Sequence, residues 1–153
     1  MKKKNFGFTL VELLVAITIG ILVVGFGSVA LNEFNENQKV ETTKQELLTN
    51  LRLARNYAAT NQLPSGGNRV SVTINSSGLM TITTLDGNGA LVGTFFSKDV
   101  TPNNVFITVN DPIVFSVSDG RSIGVTGRSI SVGVSGVVVK NIIIEESGLI
   151  YEE

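Results

Sequence analysis

The sequence predicts an α+β fold, a long N-terminal α-helix packed on a C-terminal antiparallel β-sheet domain. Three observations predict it. An apolar run from Phe8 to Leu31 contains one charged residue, Glu12. A polar stretch without Pro or Gly follows as far as Leu63, with apolar residues at helical spacing. From Ser65 onward the pattern changes to short β-rich runs punctuated by Gly, Asn, Asp and Ser.

The first element begins with Lys2, Lys3 and Lys4 and continues into the apolar run. At 1.5 Å per helical residue, the twenty-four residues from Phe8 to Leu31 reach roughly 36 Å, enough to cross a bilayer. Lysines on the short flank hold that flank in the cytoplasm and send the rest of the chain outward. A plain signal anchor fits this pattern. So does a secretory signal, because Ser28-Val29-Ala30 has small residues at the outer positions of a cleavage site.

Glu12 asks for more. A charged side chain near the centre of a membrane helix costs on the order of 2.5–3.5 kcal/mol on insertion scales, and less near the interface. The acid either snorkels to the headgroups, takes up a proton, or meets a cation.

The run Lys2-Lys3-Lys4-Asn5-Phe6-Gly7 followed by FTLVELLVAITIGILVV resembles the class III signal of type IV pilins and of type II secretion pseudopilins. The resemblance implies a pilin-like fold and a prepilin peptidase that cuts between Gly7 and Phe8, with N-methylation of the new amine at Phe8. It also implies that Glu12 meets the N-terminal amine of a neighbouring subunit during assembly. Physically, a charge pair in a low-dielectric setting offsets desolvation only when matched, so an unmatched Glu12 would select the one axial register that brings an amine to it.

The polar stretch is the outer half of the same helix. Val40, Leu47, Leu48, Leu51, Ala54 and Ala58 form one apolar face, and Glu33, Glu36, Lys39, Lys44, Glu46, Arg52 and Arg55 occupy much of the rest. The expected helix runs from about Phe8 to about Asn61, roughly 80 Å at the standard rise. LTNLRLARNYAATNQ, Leu48 to Gln62, resembles the corresponding helix of the minor pseudopilin H and pilus-biogenesis T subfamily. Ala16 and Gly20 make a small-xxx-small pair that either seats a neighbouring helix or is simply tolerated. At Val29 many pilins carry a kinking proline, so the chain departs there from the major-subunit pattern.

Seven strands are expected: Arg69 to Ile74, Leu79 to Leu85, Ala90 to Phe96, Val105 to Val109, Ile113 to Val117, Ser129 to Val134 and Val137 to Ile144. Turns are expected at Ser77-Gly78, Asp86-Gly87, Asn88-Gly89, Asp119-Gly120 and Ser147-Gly148. The alternation buries Val70, Val72, Ile74, Phe115, Val117, Ile130 and Val132. The chain ending, PIVFSVSDGRSIG then VVVKNIIIEESGLIYEE, resembles the head-domain ending of the same minor subfamily, where a strand and a Ser-Gly turn close the chain. GRSIGV at Gly120 and GRSISV at Gly127 are similar strand starts.

The sequence holds no His, Cys or Trp. That excludes a Ser-His-Asp triad, a thiol nucleophile, an ordinary zinc or haem site and any disulfide. Isolated carboxylates in turns make no convergent acid–base pair, so the sequence implies neither an enzyme nor a cofactor. Asp86-Gly87-Asn88-Gly89 has the oxygen spacing of a calcium loop, but a hairpin turn explains it without metal.

The organisation expected is a cytoplasmic leader (1–7), a transmembrane assembly helix (8–31), an amphipathic helix (32–63) and an extracytoplasmic β-rich head (64–153) of a single-pass inner-membrane protein. The function implied by the resemblance is a minor pilin or pseudopilin of a type II secretion pseudopilus or type IV pilus. Its partners would be the prepilin peptidase, other pilin subunits and the membrane. The alternative is a DNA-binding minor pilin of an uptake system, with Arg69, Arg121 and Arg128 on phosphates. Loss of the three leader lysines would leave nine basic against thirteen acidic side chains, a balance that disfavours nucleic acid.

Overall fold

The computed structural model of the protein describes residues 9–63, 66–75, 77–101, 105–109, 112–123, 128–134 and 138–153, the side chains of residues 27 and 28 excepted. The elements are a helix α1 (Leu10–Thr60) and strands β1 (Arg69–Ile74), β2 (Leu79–Leu85), β3 (Leu91–Asp99), β4 (Val105–Val109), β5 (Ile113–Ser116), β6 (Ser122–Ile123), β7 (Arg128–Val134), β8 (Val138–Ile144) and β9 (Ile150–Glu152). The chain divides into two compact units, Met1–Asn35 and Glu36–Glu153.

In the first unit, α1 is apolar on all sides and its large side chains, from Leu10 to Leu31, are exposed. It is long and apolar enough to cross a membrane, and none of its most apolar window is buried. A helix hydrophobic all round is normally buried in protein or in lipid.

In the second unit, α1 turns one apolar face to the β-sheets. Val40, Leu47, Leu48, Leu51, Ala54 and Ala58, the residues whose spacing predicted that face, are all buried. The strands form two antiparallel sheets in the orders β3-β2-β1-β5-β6 and β4-β7-β8-β9. Register aligns the inward side chains into rows. Ile82 lies opposite Val72, and Val72 opposite Ile113 in the first sheet; Val109, Ile130 and Ile142 form a row in the second. Helix and sheets share one core in which Leu51, Phe115, Met80, Ile130 and Ile144 are fully buried. Of the expected core, Val70, Val72, Phe115, Ile130 and Val132 are buried. Ile74 and Val117 are only half-buried, because one ends β1 and the other enters a turn.

α1 ends in a Schellman motif. Asn61 adopts φ 53°, its N–H reaches Ala58 O at 3.3 Å, and Gln62 N–H reaches Tyr57 O at 3.3 Å. Ser118 N–H, from the β5–β6 turn, also donates to Ala58 O at 3.0 Å, which ties the helix end to the first sheet.

Strand boundaries differ from the expectation in several places. β3 begins at Leu91 and continues to Asp99, because Lys98 and Asp99 still pair with Met80 and Leu79. A backbone ladder does not need apolar side chains. β5 stops at Ser116, where a turn begins and Ser118 takes φ 93°. β7 starts one residue early at Arg128, opposite Ile144. Val137 lies outside the described residues. β6 and β9 are too short for periodicity to reveal.

Candidate functional site

The N-terminal end of α1 carries the residues with distinctive chemistry. Gly7 and Phe8, the expected processing pair, lie outside the described residues. Thr9 and Glu12 are described and make a capping box. Glu12 Oε2 accepts from Thr9 N–H at 3.0 Å and from Thr9 Oγ1 at 3.1 Å, and Glu12 N–H donates to Thr9 Oγ1 at 3.2 Å. The signal for this was in the sequence as Thr-x-x-Glu opening an apolar run, and the reading of Glu12 as a lone acid missed it. Oε1 makes no bond among the described residues. Both residues are exposed, amid exposed Leu10, Val11, Leu13 and Leu14.

One helical turn further, Thr18 Oγ1 donates to Leu14 O at 2.8 Å, so its hydroxyl is satisfied within the helix. Nothing lies within 4 Å of where a Cβ on Gly20 or Gly25 would sit.

Two of the three arginines considered for nucleic acid belong to the first sheet and one to the second. Arg69 pairs with Ser116 across β1 and β5, and Ser116 N–H donates to Arg121 O, so these two arginines belong to the first sheet. Arg128 lies in the second sheet, and its guanidinium donates to Pro112 O. Arg121 faces Asp119 at 3.7 Å. The N–H of Arg121 bonds the Asp119 carboxyl at 3.1 Å and holds its pKa below the usual carboxylate range. That neighbouring acid offsets the field an anionic phosphate would need.

An open cleft of about 430 Å³ is lined by Asp119, Arg121, Glu146 and Ser147. It lies where the β5–β6 turn meets the β8–β9 turn, joined by Ser122 N–H to Glu146 O at 3.1 Å. The Asp86 loop is a hairpin: Asp86 Oδ1 accepts from Asn88 N–H at 2.8 Å and Ala90 N–H at 2.7 Å, and Gly89 takes φ 86°. Among the described residues, no group of three His, Cys, Asp or Glu side chains is placed to hold a metal.

Lys44 is the charged residue whose setting sequence reasoning did not find. Its side chain is 6% exposed and sits between Glu41, at 2.8 Å, and Glu152 of β9. Burial lowers its pKa, but hydrogen bonds to Glu152 and Glu41 outweigh that and leave it above the ordinary lysine value. Spacing reveals Glu41 as an i,i+3 neighbour; Glu152 is brought there only by β9.

Residues 2–28 match the prokaryotic N-terminal methylation motif. The chain also resembles the minor pseudopilin EpsH from the type 2 secretion system of Vibrio cholerae, with a TM-score of 0.55 and 13% identity over 75% of this chain and 96% of that one. At that identity the likeness is one of fold. No curated protein matches the chain. The protein thus joins the N-methylation motif of prokaryotic prepilins to the pilin-like fold of a minor pseudopilin, one long helix packed on antiparallel sheets.

Proposed function

We propose that the chain is a minor pilin or pseudopilin, a structural subunit made as a prepilin, cleaved between Gly7 and Phe8 and methylated at Phe8. Residues 1–7 would be its cytoplasmic leader, 8–31 its span of the inner membrane, 32–63 the amphipathic continuation of the helix and 64–153 an extracytoplasmic head. The prepilin peptidase and other pilin subunits would be its partners. The observation that carries this reading is Glu12. It is an acid on an otherwise apolar exposed stretch of helix, within the matched motif, with one carboxylate oxygen engaged by Thr9 and the other making no bond among the described residues.

The chemistry is association rather than catalysis. The apolar helix stores the subunit in lipid and then packs with other such helices, and pairing of Glu12 with a neighbour's amine sets the register. The test is the intact mass and N-terminal sequence of the protein extracted from its native membranes. A chain beginning with methylated Phe8 supports the reading. A start at Met1 means a signal anchor, a start at Leu31 means a secreted head, and either removes the assembly role of Glu12.

A further inference from the structure

Asn88 is the one asparagine in the sequence that is followed by glycine, and it sits in the turn between β2 and β3. An asparagine amide is lost when the backbone nitrogen of the next residue attacks its side-chain carbon and closes a five-membered ring. Three conditions favour that step. The amide is not held in other bonds, the attacking nitrogen is loosely held and open to water, and the next residue is small.

Asn88 meets all three. It is exposed, and its side chain makes no hydrogen bond among the described residues. Gly89 is exposed too, and its N–H donates to Asp86 O at 3.2 Å, the long end of the usual range. Gly89 has no Cβ to block the approach, and nothing lies within 4 Å of where one would sit, so the ring closes into open space. The turn itself is shaped by Asp86, whose Oδ1 accepts from Asn88 N–H and Ala90 N–H, so the Asn88 amide is free of any structural task. Asn75 is the contrast. It is followed by Ser76, and its Oδ1 is held by Ser77 N–H at 3.1 Å, Ser77 Oγ at 2.7 Å and Leu79 N–H at 2.8 Å.

We propose that Asn88 is a site of spontaneous deamidation in the folded protein, through a succinimide with Gly89. The Gly89 nitrogen gives its proton to hydroxide and bonds to Asn88 Cγ. The Cγ–Nδ2 bond breaks, and the amide nitrogen takes a proton from water and leaves as ammonia. A water molecule then opens the ring. Cleavage between Gly89 N and Asn88 Cγ leaves aspartate; cleavage between Gly89 N and the Asn88 carbonyl carbon leaves isoaspartate, whose main chain runs through Cβ and Cγ. One water is consumed and one ammonia released, with no oxidant or enzyme. Either product adds a negative charge to the tip of the β2–β3 hairpin, and isoaspartate also lengthens the main chain there by a methylene. The change accumulates with time and is not reversed by the chain itself.

The inference does not depend on the assembly reading of Glu12, and its test is separate. The full-length protein in mild detergent is held at physiological temperature in neutral and in mildly alkaline buffer, beside a free peptide of the sequence LDGNGALV, Leu85 to Val92. Peptide mapping by mass spectrometry locates each amide converted to acid, and chromatography separates aspartate from isoaspartate. Conversion at 88 is expected to exceed that at every other asparagine, Asn75 included, several-fold, to yield both products, and to quicken as pH rises. An intact Asn88 in the protein while the peptide converts would show that the folded turn protects it and would overturn the proposal, as would conversion at 88 no faster than at 75. Gly89→Ala, which sets a Cβ beside the attacking nitrogen, is expected to slow conversion at 88 several-fold. An unchanged rate in that variant overturns the succinimide route.

Discussion

Thr9 and Glu12 cap each other at the start of α1, with three hydrogen bonds of 3.0, 3.1 and 3.2 Å closing the first helical turn. The arrangement gives Glu12 two separable duties. The first is to satisfy the N–H of Thr9, which any side-chain carbonyl at that position can do. The second, under the proposed function, is to present a negative charge to a neighbouring amine.

The substitution Glu12→Gln separates these duties, because it keeps the acceptor and removes the charge. E12Q is expected to be cleaved normally and to fail to enter filaments. Thr9→Ala, which loses a cap worth about 1 kcal/mol but keeps the charge, is expected to enter them at reduced efficiency. Immunoblots of sheared filament fractions read both. Normal incorporation of E12Q would reduce Glu12 to a helix cap.

Lys44 gives the folded unit a defined pH response. Its folded pKa is raised, so its contribution is complete below the unfolded value, about 10.4, and is lost as pH climbs through the folded value. Glu41 is held below its usual range by its bonds to Lys44 and then Gln45, so its contribution is complete above about 4.3 and fades as pH falls through the folded value. Melting temperature is expected to be level between about pH 5 and about pH 10 for this pair and to decline on both sides. Lys44→Met should change stability at pH 7 by less than about 1.5 kcal/mol, since both Glu partners reach water, and should remove the alkaline decline due to this group. An unaltered alkaline limb in that variant would assign it elsewhere.

Two glycines with positive φ differ in their surroundings. A Cβ on Gly89 would meet nothing within 4 Å, whereas one on Gly148 would lie 2.2 Å from Gly120 O and 3.0 Å from Arg55 Nε. Gly89→Ala is expected to cost about 1–2 kcal/mol for the left-handed conformation alone. Gly148→Ala should cost about 3 kcal/mol or more, because backbone must move. Urea denaturation of the full-length protein in detergent compares them, and equal costs would contradict the close packing of the β8–β9 turn on Gly120.

The helix–sheet contact is the main support of the head. Leu51 is fully buried on the face of α1 that meets both sheets. Leu51→Ala is expected to cost about 2–5 kcal/mol, while Leu53→Ala, at a site 37% exposed, should cost about 1 kcal/mol or less. Thermal melts monitored by circular dichroism check the contrast.

Much of this architecture follows from local pattern. The six residues from Val40 to Ala58 recur at helical spacing because one helix has one face to bury, and short runs rich in Val, Ile, Thr and Phe between turn residues located β1, β2 and β4. The Gly-containing turns at 78, 89, 120 and 148 were readable because a positive φ nearly demands glycine. The Thr9–Glu12 cap was equally local and equally readable, though the sequence reading passed over it.

Other features arise only when distant segments meet. Division of the strands into two sheets depends on which edges pair, and the side-chain period of two is the same in either sheet. β6 and β9 are held by neighbours rather than by any pattern of their own. The burial of Lys44 required Glu152 to arrive from the far end of the chain, and the placing of Arg69 and Arg128 in different sheets is likewise a product of long-range pairing. Periodicity and turn chemistry act over a few residues and so are written in the sequence. Pairing between residues a hundred positions apart is decided by the shared core, and only the tertiary structure shows it.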